Sequence, residues 1–179
     1  AASIRDNPNH CEVGAAQYAS AGAKSSIMDS LDVAVLGATE IDTDFNVNVH
    51  TDSSGRIMGG SGGHSDAAAG SKLSIITAPL FRGRLPIVRD RVTCISTPGK
   101  DIDVLITQAG IAVNPRREEL RERLTQAGMQ VLEITQLRAL AEQITGTPAP
   151  LPPAGRVLAK VIGRDGTLLD TIGERKGEE

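Results

Sequence analysis

The sequence predicts an α/β protein: a mostly parallel sheet flanked by helices, with a small hairpin near the C-terminal end. Two observations carry that prediction. Short Val-, Ile- and Leu-rich runs recur at 31–36, 72–78, 92–97, 102–107 and 131–134, and their length and β-branched content mark buried strands. Two amphipathic segments, 114–127 and 135–145, are interleaved with the last of these runs. Strands that alternate with helices in this way build parallel sheets.

Taken in order, 13–24 is Ala-rich with Gly14 and Gly22, so it reads as a weak helix or as small residues packed close to another backbone. The apolar run 31–36 ends at Gly37. Residues 45–49 alternate apolar and polar, as a half-buried strand does. Thr51-Asp52-Ser53-Ser54-Gly55 is turn chemistry, and 56–58 then reads as the return strand of a hairpin. Three more strands are expected: 72–78, stopped by Pro79; 92–97, stopped by Pro98-Gly99; and 102–107. Asn114 can cap the next helix, Pro115 suits its first position, and Glu118 and Glu119 sit where the dipole favours anions. Leu120, Leu124 and Ala127 form its apolar stripe, and Gly128 closes it. After the strand at 131–134, Thr135 is expected to cap a helix bearing Leu137, Leu140, Ala141 and Ile144, ending at Gly146. Four prolines between Thr147 and Gly155 indicate an extended linker. Residues 157–172 resemble a hairpin turning at Asp165-Gly166. Two strands alone are marginal, so this hairpin must dock on the main body or on a partner. The organisation expected is an α/β domain over 1–146, a linker over 147–155, and a hairpin with a polar tail over 156–179.

Composition removes several functions. The chain has 179 residues, and its 19 Lys and Arg against 22 Asp and Glu give a formal net charge of −3. This argues against broad electrostatic binding to nucleic acid or an anionic membrane. Aromatic residues are limited to Tyr18, Phe45 and Phe81, too few for base-stacking platforms. No apolar run approaches the ~20 residues of a membrane-spanning helix. The N-terminal residues have no basic and apolar leader pattern. They read as mid-protein sequence, so a cytoplasmic fragment of a longer chain is expected. Cys11 and Cys94 form neither a disulfide framework nor a metal clip, and His10 and His50 lack metal-ligand spacing; no metal is expected.

The densest chemical signal is Gly59-Gly60-Ser61-Gly62-Gly63 followed by His64. Four glycines in five positions let a backbone approach a ligand, with amides converging as a nest. A helix starting near Ser65 or Asp66 would add positive potential. Such a loop suits a phosphate, a carboxylate or the oxyanion of acyl transfer; the bland alternative is a surface turn. The spacing matches neither a P-loop nor a dinucleotide fingerprint. His64 is a candidate acid/base or substrate donor, or else a loop cap. Glu40, Asp42 and Asp44 follow a predicted buried strand, a place where ligands gather in α/β sheets, and one of them is a candidate base or nucleophile. Arg82 and Arg84, with Arg89 and Arg91, would grip an anion or face solvent.

Beyond these single features, four stretches resemble the CoA-transferases, and within them the α chains of bacterial citrate lyases: 31–48, 57–66 with its Gly-Gly-Ser-Gly-Gly-His core, 80–88, and 110–116. The resemblance runs from about Asn7 to the end, and it is to the C-terminal portion of that longer chain. It implies the α/β CoA-transferase-like fold and an enzyme that exchanges acetate for citrate on a thioester. The thioester belongs to acetyl-CoA or to the CoA-like prosthetic group of an acyl carrier protein, with no cofactor bound by this chain. The implied partners are the lyase (beta) and acyl-carrier (gamma) subunits in an oligomeric complex. Under this resemblance Gly59, Gly60, Ser61, Gly62, Gly63, Asn46, Arg82 and Arg84 are expected to bind substrate or CoA. Glu40 and His64 are the catalytic candidates, Glu40 only if a covalent route exists. No Ser-Glu-Asn-Gly-type nucleophile motif is present, which fits either the direct attack in a ternary complex that the resemblance implies, or loss of the motif with the missing part of a longer chain. Citrate and citramalate both remain open as acceptors. Two other readings stand beside this one: a sugar-phosphate isomerase or deaminase of the same general fold, and a non-catalytic scaffold fragment.

Overall fold

The computed structural model describes residues 2–19 and 26–175. Two short helices, α1 (Ala2–Asp6) and α2 (Ala15–Ala19), and a 3-10 turn at Ile27–Ser30 precede the sheet. The expected segment at 13–24 is therefore helical over Ala15–Ala19, and 20–24 lies outside the described residues. The main sheet contains β1 (Val33–Leu36), and the chain then runs through β2 (Glu40–Asp42), β3 (Val47–Asn48) and helix α3 (His64–Gly70) to β4 (Leu73–Thr77). Next come β5 (Phe81–Arg82), β6 (Leu85–Pro86), β7 (Val88–Arg89), β8 (Val104–Thr107) and β9 (Gly110–Val113). Helix α4 (Glu118–Gln126), β10 (Val131–Leu132) and helix α5 (Ile134–Thr145) follow. The hairpin β11 (Val157–Ile162) and β12 (Leu168–Gly173) ends the fold.

The five-stranded sheet has the order β1-β4-β8-β9-β10. Its β1/β4, β4/β8 and β9/β10 ladders are parallel, as expected, whereas β8 and β9 pair antiparallel through a tight turn. Leu36, Ile76, Leu105 and Ala112 of this sheet face a core closed by Leu137 and Ala141 of α5 and by Ile41 and Val88 of a second, small sheet ordered β3-β2-β7. On the opposite face Val33, Val35 and Ile106 are exposed.

Several local expectations are corrected. Residues 92–97 form no strand; only Thr97 makes an isolated bridge, to Val47. The reason is that distant acceptors take their amides: Val92 donates to Asp42 (3.3 Å), Thr93 to Glu40 (2.8 Å) and Ile95 to Asp170 (2.9 Å). The strand expected at 45–49 shrinks to Val47–Asn48, because Phe45 adopts a positive φ of 65°. Asp42 stabilises that turn, accepting from the amides of Asp44 and Asn46. Phe45 itself is 1% exposed, and burying the ring, worth about 1.5–3 kcal/mol, offsets a backbone cost of similar size. Gly99 packs on this turn so tightly that a Cβ there would penetrate the Asp44 carbonyl. The return strand at 56–58 is reduced to one bridge, Thr51 to Ile57.

Asn114 caps as expected, accepting from the Arg116 amide at 3.2 Å, although a 3-10 turn precedes α4. Helix α4 buries no residue completely, and Ala127 falls beyond its end. Helix α5 is capped by Glu133 rather than Thr135, through a reciprocal box with Gln136. Its Leu137 and Ala141 are buried, whereas Ile144 is largely exposed. Residues 147–155 run without helix or strand, and β11/β12 pair antiparallel around Asp165 and Gly166. That hairpin docks on the body: Val161 and Ile172 pack on Cys94, and Arg164 reaches Asp29 at 2.9 Å. Among the described residues, no helix is long and apolar enough to cross a membrane.

Candidate functional site

The glycine loop leads into α3, and the first residue of that helix, His64, ties it to Gly37 just past the carboxyl end of β1. Helix α3 does begin directly after it, at His64. His64 Nδ1 lies 2.8 Å from the Thr97 hydroxyl, and Nε2 lies 2.9 Å from the Gly37 carbonyl. A carbonyl only accepts, so Nε2 carries the hydrogen and Nδ1 accepts from Thr97. Burial lowers the His64 pKa; the Gly37 bond works against this, and nearby His50 adds to the lowering. The ring is therefore neutral, with both nitrogens in use. This geometry speaks against the expected acid/base role and makes His64 the anchor of the loop.

The loop itself is open. Among the described residues, the backbone N–H groups of Gly59, Gly60, Ser61, Gly62 and Gly63 have no hydrogen-bond partner within the chain. Among the described residues, a Cβ placed on Gly59 or Gly60 would meet nothing within 4 Å. The fold does not need glycine at these two positions for space. Gly62 is different, with φ +58°, and so is Gly63, where a Cβ would press on Met28 and Tyr18. Half of the glycine cluster therefore serves the turn and its packing, and half leaves room for something outside the chain.

That room opens onto a cavity of about 430 Å³ between the loop and the C-terminal hairpin, in the size range of small-ligand sites. His50, Ser61, Ser65, Ser96 and Lys160 supply its polar lining, and none of the lining residues is acidic. His50, Ser96 and Lys160 were not among the expected site residues. The only sequence signal at His50 is its lack of metal-ligand spacing, and nothing in the sequence ties Ser96 or Lys160 to the glycines. Among the described residues, no group of His, Cys, Asp and Glu is arranged to hold a metal ion.

Glu40 is fully buried, and none of its hydrogen-bond partners belongs to the glycine loop. Its carboxylate accepts from the Thr93 amide (2.8 Å), the Thr93 hydroxyl (3.2 Å), Asn48 (3.0 Å) and the Arg89 guanidinium. Burial would push its pKa up, but these donors outweigh burial and hold it below the ordinary value. A carboxylate with both oxygens occupied and no exposed surface is a poor nucleophile. The structure gives Glu40 the job of organising 89–93 instead. Asp42 goes the other way: burial raises its pKa although Asn46, Val92 and Asp44 donate to it.

Asn46 is likewise committed internally, donating to Asp42 at 3.2 Å and accepting from the Gly99 amide at 2.9 Å. Arg82 and Arg84 flank Gly83 in the exposed β5/β6 turn. They follow the carboxyl end of β4 but do not line the cavity at the glycine loop. The structure thus brings Gly59, Gly60 and Ser61 to one cavity and leaves Glu40, Asn46, Arg82 and Arg84 outside it.

A family model described as "Citrate lyase, alpha subunit (CitF)" matches residues 1–175. The chain belongs to the citrate lyase alpha subunit family. It is 52% identical to the citrate lyase alpha chain of Escherichia coli K12 over 98% of its length, and 49% identical to that of Klebsiella pneumoniae over 100%. It spans only about a third of each, 34% and 35%. These matches do not bear out the expected C-terminal placement. A crystal structure described as the alpha subunit of citrate lyase in complex with citrate, from Streptococcus mutans, superposes with TM-score 0.93 at 40% identity. It covers 98% of this chain and 34% of the other.

Proposed function

We propose that this chain is the segment of a citrate lyase alpha subunit that cradles the acyl thioester during exchange of acetate for citrate. The acyl donor would be the CoA-like prosthetic group of an acyl carrier protein, or acetyl-CoA in its place. The lyase and acyl-carrier subunits would be its partners in the complex. One observation carries the reading: among the described residues, a run of five unpartnered backbone amides, with side-chain space left empty at Gly59 and Gly60, in a chain of this family. Support also comes from the Streptococcus mutans relative, whose crystal structure is described as holding citrate.

The chemistry fits such a loop. A citrate carboxylate is a weak nucleophile, so attack on a thioester carbonyl depends on positioning and on stabilising negative charge as it develops on the carbonyl oxygen. Fixed amides aimed at that oxygen do this without moving. In the net exchange the acetyl carbon–sulfur bond breaks, a citryl carbon–sulfur bond forms, and acetate leaves. Neither Glu40 nor His64 is free to take part covalently, which favours direct attack by the acceptor.

The test is transfer of CoA from acetyl-CoA to citrate, followed as free acetate. It would be run with this chain alone, with a full-length alpha chain containing it, and with the full-length chain plus acyl carrier protein. Transfer by the full-length chain is expected. No release of acetate from an intact full-length chain that binds both substrates would overturn the reading. Activity in this chain alone would show that the remaining two thirds are dispensable for chemistry.

A further inference from the structure

The cavity beside the glycine loop holds a side chain that the proposed function leaves unused. His50 Nδ1 lies 2.6 Å from the Ser96 hydroxyl oxygen. That oxygen also accepts from the Val49 amide at 2.9 Å and the His50 amide at 3.2 Å. Two amides fill its lone pairs, so its own hydrogen is directed at Nδ1. A ring nitrogen that accepts is unprotonated, and the hydrogen of the neutral ring then sits on Nε2. Among the described residues, Nε2 has no partner in the chain, while the ring lines the cavity. Burial lowers the His50 pKa and keeps the ring neutral at physiological pH.

The rest of the lining agrees in sign. Lys160, an exposed residue on β11 of the hairpin, adds a positive charge to the lining, and among the described residues the loop's amides have no internal acceptor. A cavity rich in donors and, among the described residues, free of carboxylates suits an acceptor-rich anion. We propose that His50, fixed by Ser96 as its Nε2–H tautomer, donates a hydrogen bond to a carboxylate of the acyl acceptor seated between the glycine loop and the hairpin, with Lys160 as countercharge. The assignment rests on the transferase reading and deepens it. It moves the recognising histidine from His64, whose nitrogens are spent on Gly37 and Thr97, to His50.

The test uses the full-length alpha chain with ¹⁵N-labelled histidine, and citrate as the probe. His50 should show the neutral Nε2–H pattern, and its Nε2 signal should shift as citrate saturates the protein. By calorimetry, His50→Ala should weaken citrate binding on the order of tenfold to a hundredfold, the span expected for a hydrogen bond to a charged group. His50→Gln, whose amide reaches the Nε2 position, should stay within a few-fold of wild type. Ser96→Ala should leave citrate bound more weakly while freeing the tautomer, a change visible in the same spectrum. A His50 ring protonated at Nδ1, or one that does not respond to saturating citrate, overturns the proposal. Wild-type citrate affinity in His50→Ala does so as well. Absence of CoA transfer from acetyl-CoA to citrate in the wild-type chain is a separate result: it removes the transferase reading, while the citrate response of His50 still decides this assignment.

Discussion

Replacing Glu40 with glutamine separates a structural carboxylate from a chemical one. Glu40 accepts four hydrogen bonds, and every partner is a donor. Glutamine offers one oxygen and one NH2. Either orientation of the amide therefore turns a donor toward donors on one side, and the Arg89 guanidinium, itself 11% exposed, loses its countercharge. Two lost bonds to a charged group, at about 1.5–3 kcal/mol each, with a guanidinium left buried and unpaired, put the cost at about 3–5 kcal/mol. In urea denaturation followed by circular dichroism, Glu40→Gln should lower the midpoint accordingly.

The pH dependence gives an independent check. The folded pKa of Glu40 lies below its ordinary value of 4.5. Its stabilisation is therefore present above that value and is lost as pH falls through the lower folded one. Wild type should lose this increment in acid and the variant should not, so their stability curves converge as pH drops. Asp42, with its raised pKa, contributes with the opposite sign in both proteins and cancels in the difference. A variant that unfolds within about 1 kcal/mol of wild type, a span small for a broken buried network, but has lost all transferase activity would refute this account and restore Glu40 as a reacting group.

Further substitutions probe other parts of the molecule. Among the described residues, a Cβ at Gly60 meets no atom within 4 Å; in Gly60→Val stability should hold while CoA transfer to citrate falls about 100-fold, because the side chain blocks access to the amides, a loss on the scale of removing an oxyanion donor. Gly62→Val is the poorer test, because φ +58° adds strain. Gly99→Ala should destabilise strongly, since its Cβ collides with the backbone of the Asp44 turn, and a thermal melt would show it. Exposed Cys11 should react with a maleimide readily, whereas Cys94 lies under the hairpin with its thiol pushed up to about 12. Asp170→Ala removes the acceptor of the Ile95 amide and should speed Cys94 labelling by loosening the hairpin; an unchanged rate would mean that this bond does not hold it.

The strands and helices that bury apolar runs were readable because their signal is local. Leu73–Thr77, Val104–Thr107 and the buried positions of α5 follow directly from periodicity. The failures have a common cause. Residues 92–97 look like a strand by composition, yet their amides are claimed by Asp42, Glu40 and Asp170, between 50 and 75 residues away. Glu133 displaced Thr135 as a cap because Gln136 completes its box, a choice that depends on where the helix enters. The glycine loop was visible as composition. Which of its glycines are empty space and which are turn geometry became visible only against Met28 and Tyr18.

The two histidines make the same point for function. By sequence His64 stands beside four glycines and His50 does not, so proximity favours His64. A histidine is useful to a ligand only through a nitrogen that the protein has not already engaged. His64 meets a carbonyl on one side and a hydroxyl on the other, and has nothing left to offer. His50 meets one hydroxyl, already saturated by amides, which fixes its hydrogen on the nitrogen toward the cavity. The partners that decide this, Gly37, Thr97 and Ser96, lie 27 to 46 residues from the rings they constrain. A residue's chemistry here is set by what the fold leaves unsatisfied, which adjacency along the chain does not report.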